Sequence, residues 1–90
     1  MIRFGSGELV VVCSTSKDVM PSEFTWRGQR HRVRSIDRYQ TNTYRQRNGV
    51  EQLRLFRLRT TRGMRCLLSQ DVSRGIWRME RILDGKGGLG

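Results

Sequence analysis

Between Phe24 and Leu83, apolar side chains recur at every second residue in five separate runs, divided by glycines and polar turns. A spacing of two sends successive side chains to opposite sides of an extended chain, whereas a helix face needs spacings of three and four. Phe24 and Trp26 share one side of Glu23–Arg27. His31 and Val33 alternate with Arg30, Arg32 and Arg34 in Arg30–Arg38. Phe56 and Leu58 stand opposite Leu55, Arg57 and Arg59 in Leu53–Thr60. Met64, Cys66 and Leu68 stand opposite Arg65 and Leu67 in Met64–Ser69. Trp77 and Met79 stand opposite Arg78 and Glu80 in Ile76–Leu83. The shared phase predicts a mainly β fold: a five-stranded antiparallel meander that forms a bent sheet or a small SH3-like or OB-like half-barrel. The expected core is Phe24, Trp26, Val33, Phe56, Leu58, Met64, Cys66, Leu68, Trp77 and Met79. A helical stripe of Ile76, Trp77, Met79 and Leu83 is the weaker reading of the last run, because it spans eight residues with no clear cap.

Turn chemistry sets the order of the runs. Gly28-Gln29 suits a two-residue turn, and Thr61-Arg62-Gly63 a three-residue loop with glycine in the left-handed position. The alternation slips at Ser35-Ile36, which predicts a bulge and a bend. Tyr39–Gln52 is polar, with a turn signal at Asn48-Gly49, and reads as a long hairpin loop. Upstream, Leu9–Cys13 is one plausible strand, an edge or an extended arm, and Pro21 breaks the chain after Met20. The expected organisation is an N-terminal arm over residues 1–21, a basic β domain over 22–83, and a flexible Gly-rich tail over 84–90.

Ninety residues make one domain with a small core and little room for a deep cleft. Sixteen arginines against two lysines give a formal net charge of +10, and fifteen arginines lie between Ser22 and Leu83 with five acids. Such a charge favours polyanionic partners, and arginine can fork onto phosphate and stack on bases. Alternation sends Arg30, Arg32, Arg34, Arg57, Arg59, Arg65 and Arg78 outward, with Leu55 and Leu67 among them. On one sheet face these guanidiniums would stand about 4.8 to 6.6 Å apart and repel one another. Tyr39 and Tyr44, close to Arg38, Arg45 and Arg47, are the candidate base-stacking residues, while Trp26 and Trp77 point to the core. The expectation is a non-enzymatic nucleic-acid-binding module, with single-stranded DNA or RNA favoured. The alternative is an adaptor that docks an acidic protein surface, or self-associates as a homodimer through the Arg/Leu face. A plainly solvated face is the third reading of the same residues.

Catalysis finds no constellation. His31 is the one histidine, and on an inward face it is expected to be packed and hydrogen-bonded. The acids are scattered, and no phosphate-cradling glycine loop or metal-ligand cluster is present. Cys13 and Cys66 form no C-x-x-C pair. No catalytic residue, metal or cofactor is therefore expected. The apolar run Leu9–Cys13 is too short for a signal peptide or a membrane span, so no membrane partner, a cytoplasmic location and two free thiols are expected.

The quoted motifs also resemble a known group. Phe24-x-Trp26-x-Gly28 with Val33, then Phe56-Arg57-Leu58-Arg59-Thr60, then Trp77-Arg78-x-Glu80-Arg81, is similar to a family of small bacterial all-β domains of unknown function. Such domains occur alone and at the C-terminal end of some DNA-repair polymerase-like proteins. The likeness covers about two-thirds of the chain and falls mainly on core-forming positions. It implies a small β domain, no catalytic residues, and a place as an accessory in DNA repair or replication.

Overall fold

The computed structural model describes residues 7–15, 20–47 and 49–84. Six strands follow one another: β1 Glu8–Thr15, β2 Pro21–Trp26, β3 Gln29–Gln46, β4 Gly49–Thr60, β5 Arg65–Asp71 and β6 Ile76–Asp84. Each pairs antiparallel with the next, and β1 returns to pair with β6, which closes the sheet into a barrel. The expected five-stranded meander is thus corrected to a ring of six. The added stave is the Leu9–Cys13 run, whose three consecutive valines hide its phase. Val10 faces the core beside Trp77, while Leu9 and Val11 face out and are exposed. Glu8–Val10 pairs with β6 and Val11–Thr15 with β2, so this segment is bonded on each side in turn. Residues 1–6 and 16–19 of the expected arm, and 85–90 of the expected tail, lie outside the described residues. No helix among the described residues is long and apolar enough to cross a membrane.

The first hairpin turns at Arg27-Gly28, one residue earlier than expected, with Trp26 paired to Gln29. Both turn residues have positive φ, 53° and 76°, as a tight two-residue hairpin requires. The Arg27 guanidinium lies 4.6 Å over the Trp26 ring. Glu8 accepts from Trp26 Nε1 at 3.2 Å and from Arg27 Nε at 2.9 Å, tying β1 to this turn. The hydrogen bond and charge of Arg27 hold the Glu8 carboxyl below its ordinary range.

The expected bulge is present, and it is double. Register shifts between Val33 and Ser35 and between Ile36 and Arg38 leave Arg34 and Asp37 without opposite residues on β4. They bend β3, so its first four residues pair with β2 and the rest with β4. Beyond Arg38 the register runs unbroken to Gln46↔Gly49. The polar segment expected as a loop is therefore a paired hairpin. Its Thr, Tyr and Val residues suit strands, and its polarity records exposure on both faces.

All ten residues expected inside belong to the core or pack against it. Phe24, Phe56, Leu58, Cys66, Leu68, Trp77 and Met79 are buried together with Val10, and Trp26, Val33 and Met64 lie against them with Val12, Met20 and Ile36. Phe56 sits between Tyr39 and Trp77, with ring centroids 5.2 and 5.3 Å away. His31 is buried and stacked on Phe24 at 5.2 Å. It is packed as expected, but neither ring nitrogen has a hydrogen-bond partner among the described residues.

Candidate nucleic-acid interface

Strand register fixes what stands beside what on the outer face of β3, β4 and β5. Three cross-strand rows follow one another: Arg38, Arg57 and Leu67; Gln40, Leu55 and Ser69; Asn42, Leu53 and Asp71. A fourth row, Ser35, Arg59 and Arg65, lies on the other side of the first. Arg38 thus opposes Arg57, and Arg59 opposes Arg65. Like charges directly opposite destabilise a ladder. Asp37 relieves one pair, 3.7 Å from Arg59. Arg38 and Arg57 have no ion pair among the described residues.

Arg38, Gln40, Leu55, Arg57 and Leu67 line a cavity of about 170 Å³. Its floor is apolar: Leu55 is only 6% exposed and Leu67 is half-buried, although both face away from the barrel core. Long arginine stems can cover such leucines while their heads stay in water. From this cavity a polar row continues along β3. Gln40 Nε2 donates to Asn42 Oδ1 at 2.9 Å, and Asn42 Nδ2 approaches the Tyr44 hydroxyl at 3.5 Å. The Tyr44 side chain remains 39% exposed at the end of the row.

The seven outward arginines do not form one surface, because the closed ring spreads them around its circumference. Arg57, Arg59 and Arg65 belong to the face just described. Arg30 and Arg32 line a separate cleft of about 390 Å³ with Glu23, Thr61 and Arg62, and Arg30 Nε is 3.2 Å from Glu23. Arg34 occupies the first bulge and is exposed. Arg78 lies on β6, opposite Leu9 and Ser69, and donates to the Gly7 carbonyl at 2.9 Å. The two tyrosines are also separated. Tyr39 alternates to the face of Phe56, with its hydroxyl accepting from Thr41 at 3.4 Å, whereas Tyr44 shares the face of Arg38 and Arg57.

Arg38, Gln40, Asn42 and Arg62 are the site residues that were not among those expected from the sequence. Arg38 has the parity of Arg30, Arg32 and Arg34, and the two bulges together restore that phase, so it stays on the outer face. Gln40 and Asn42 follow in the same phase and were hidden because Tyr39–Gln52 reads as a loop. Arg62 comes from the β4–β5 turn. Burial, with a smaller contribution from the Arg62 charge, holds the His31 imidazole below its ordinary pKa, so the ring favours its neutral form. Burial pushes the Cys66 thiol up to about 12, which keeps it unreactive. Among the described residues no three His, Cys, Asp or Glu side chains converge as metal ligands.

A family model described as Domain of unknown function (DUF6504) matches residues 1–84. The chain belongs to this family. The DUF6504 match runs through all six strands of the ring. No curated protein and no solved structure matches the chain.

Proposed function

We propose that this DUF6504 domain is a non-enzymatic nucleic-acid-binding module whose contact surface is the outer face of β3–β4–β5. Arg38 and Arg57 hold phosphate at the cavity above Leu55 and Leu67. Gln40 and Asn42 line the path along β3, and Tyr44 stacks on a base at its end. The observation that carries this reading is the opposed Arg38–Arg57 pair, which makes no ion pair among the described residues and stands open to solvent. A phosphate between the two would turn a repulsive pair into two charge-assisted contacts. The mixture of cations, amides and one aromatic suits a single strand, whose bases are free to stack. The resemblance to domains at the C-terminal end of DNA-repair polymerase-like proteins belongs to the same proposal and supports a bacterial accessory role in repair or replication.

Fluorescence anisotropy with a labelled oligothymidylate, a duplex of mixed sequence and an RNA strand tests the reading. If about four phosphates are engaged, the log–log salt slope for single strands is roughly −3. Arg38→Ser combined with Arg57→Ser should bring it to about half that value, since two contacts are lost. Arg30→Ser with Arg32→Ser, in the separate cleft, should change it less. The reading fails if the parent binds none of the three at about 100 mM salt, or if the Arg38/Arg57 variant binds as the parent does.

A further inference from the structure

β3 is the longest strand of the ring, and past its bulges only one of its edges is paired among the described residues. β2 pairs with Gln29–Arg32 on one side, and β4 pairs with Val33–Gln46 on the other. No strand among the described residues lies along the β2-side edge of Arg38–Gln46. Nine residues in regular extended register present about 30 Å of ladder. Backbone N–H and C=O groups point outward along such an edge in alternation. Asp37–Thr41 and Thr43–Arg45 are exposed.

Sheets usually blunt a free edge with charge, proline, a bulge or a cover. Here both bulges come before Arg38. The chain has sixteen arginines, yet Tyr39-Gln40-Thr41-Asn42-Thr43-Tyr44 holds no charge and no proline. Threonine and tyrosine are strong strand formers. Along β3 itself the flanking charges are Arg38, preceded by Asp37, at one end, and Arg45 followed by Arg47 at the other, while Arg54 and Glu51 stand opposite Thr41 and Tyr44 on β4.

We infer that this edge receives an extended acidic segment of a partner protein as a seventh strand. The backbone favours a peptide, because an alternating row of donors and acceptors is completed by another polypeptide strand. Phosphates supply acceptors only. The end charges favour acidic residues flanking an uncharged centre. A second copy of this chain is the worse occupant. Each copy carries +10, and an antiparallel pair centred between Thr41 and Asn42 sets Arg38 of one copy opposite Arg45 of the other. The inference goes beyond the nucleic-acid reading, since it uses the strand edge and leaves the face of Arg57 and Leu55 free.

The test uses an acetylated, amidated peptide with two glutamates at each end of a Val-Thr-Val-Thr-Val centre. Two controls accompany it: the same peptide N-methylated at two adjacent central residues, which blocks both of its edges, and one with lysine in place of glutamate. Amide hydrogen exchange of the full chain is followed residue by residue. The acidic peptide should slow alternate amides within Tyr39–Arg45 by about tenfold or more, and both controls should lose most of that protection. Equal protection by the N-methylated peptide would mean charge attraction without strand addition. No protection by the acidic peptide would overturn the inference outright. Concentration-dependent protection without peptide would assign the edge to self-pairing. Protection by oligothymidylate but not by the peptide would assign it to nucleic acid. Loss of oligonucleotide binding in an Arg57→Ser variant, whose substitution lies on β4 and outside the edge, concerns the face alone and leaves the peptide result standing.

Discussion

His31→Leu should stabilise the domain, and by more at acidic pH. The neutral imidazole buries one donor and one acceptor, and neither ring nitrogen has a partner among the described residues. An unpaired buried polar group costs about 1–3 kcal/mol. Leucine removes both groups and gives up the stack on Phe24, worth about 1 kcal/mol. Taking the low end for each nitrogen, the net gain is about 1 kcal/mol at pH 7.5. That corresponds to a rise in Tm of about 4–8 °C for a chain of this size. The folded-state pKa of His31 lies below the ordinary 6.5, so the unfolded chain takes up the proton first as pH falls. The parent therefore loses stability from about pH 6.5 downward until the folded-state pKa is passed. The variant lacks that component and keeps only the carboxylate titrations common to both. Urea unfolding followed by tryptophan fluorescence at pH 7.5 and 5.5 gives the four midpoints needed. The reasoning is refuted if the variant is less stable than the parent at pH 7.5, or if both lose the same stability between the two values.

Tyr44→Ala should weaken single-strand binding with little change in stability, since its ring lies exposed on the arginine face. Tyr39→Ala should do the reverse, because its ring packs on Phe56; paired anisotropy and urea measurements separate the two. Trp77→Ala should cost about 3–5 kcal/mol, enough to unfold so small a domain by circular dichroism. Both cysteines should titrate as free thiols after denaturation without reductant. In the native protein only Cys13 should react quickly, because it is exposed while Cys66 is buried.

The core was legible because its signal is local and redundant: Phe24, Phe56, Leu58, Cys66 and Leu68 each sit in an alternating run that needs no distant information. Closure was not. Whether Glu8–Val10 meets β6 depends on contacts some seventy residues away, and three adjacent valines give no phase to suggest it. The same curvature broke up the arginine site. Alternation says that Arg30, Arg57 and Arg78 face out, but only the bend of β3 and the ring order say in which directions. Tyr39 and Tyr44 differ by five positions, an odd number, so period two already placed them on opposite faces once the segment between them proved to be a strand. Leu55 looked like an exposed apolar residue among cations, and its burial depends on side chains of three strands that only register brings together.

The seam between β1 and β6 has a consequence for how the domain forms and opens. It consists of three paired residues, Glu8–Val10 against Trp77–Met79, whereas every other junction joins strands that follow one another in the chain. Those junctions can zip up as successive hairpins, but the seam must wait for the chain ends to meet, the step with the largest entropy of loop closure. It should therefore close last during folding and be the first to part in native fluctuations. Gly7 sits at its end, where an added Cβ would lie 2.0 Å from the Met79 carbonyl oxygen. Gly7→Ala would force the strands apart there without touching the core. It should act as a wedge: amide exchange at Glu8–Val10 would quicken while the β3–β4 and β4–β5 ladders kept their protection. In that state the protein would be an open six-stranded sheet held by its hairpins.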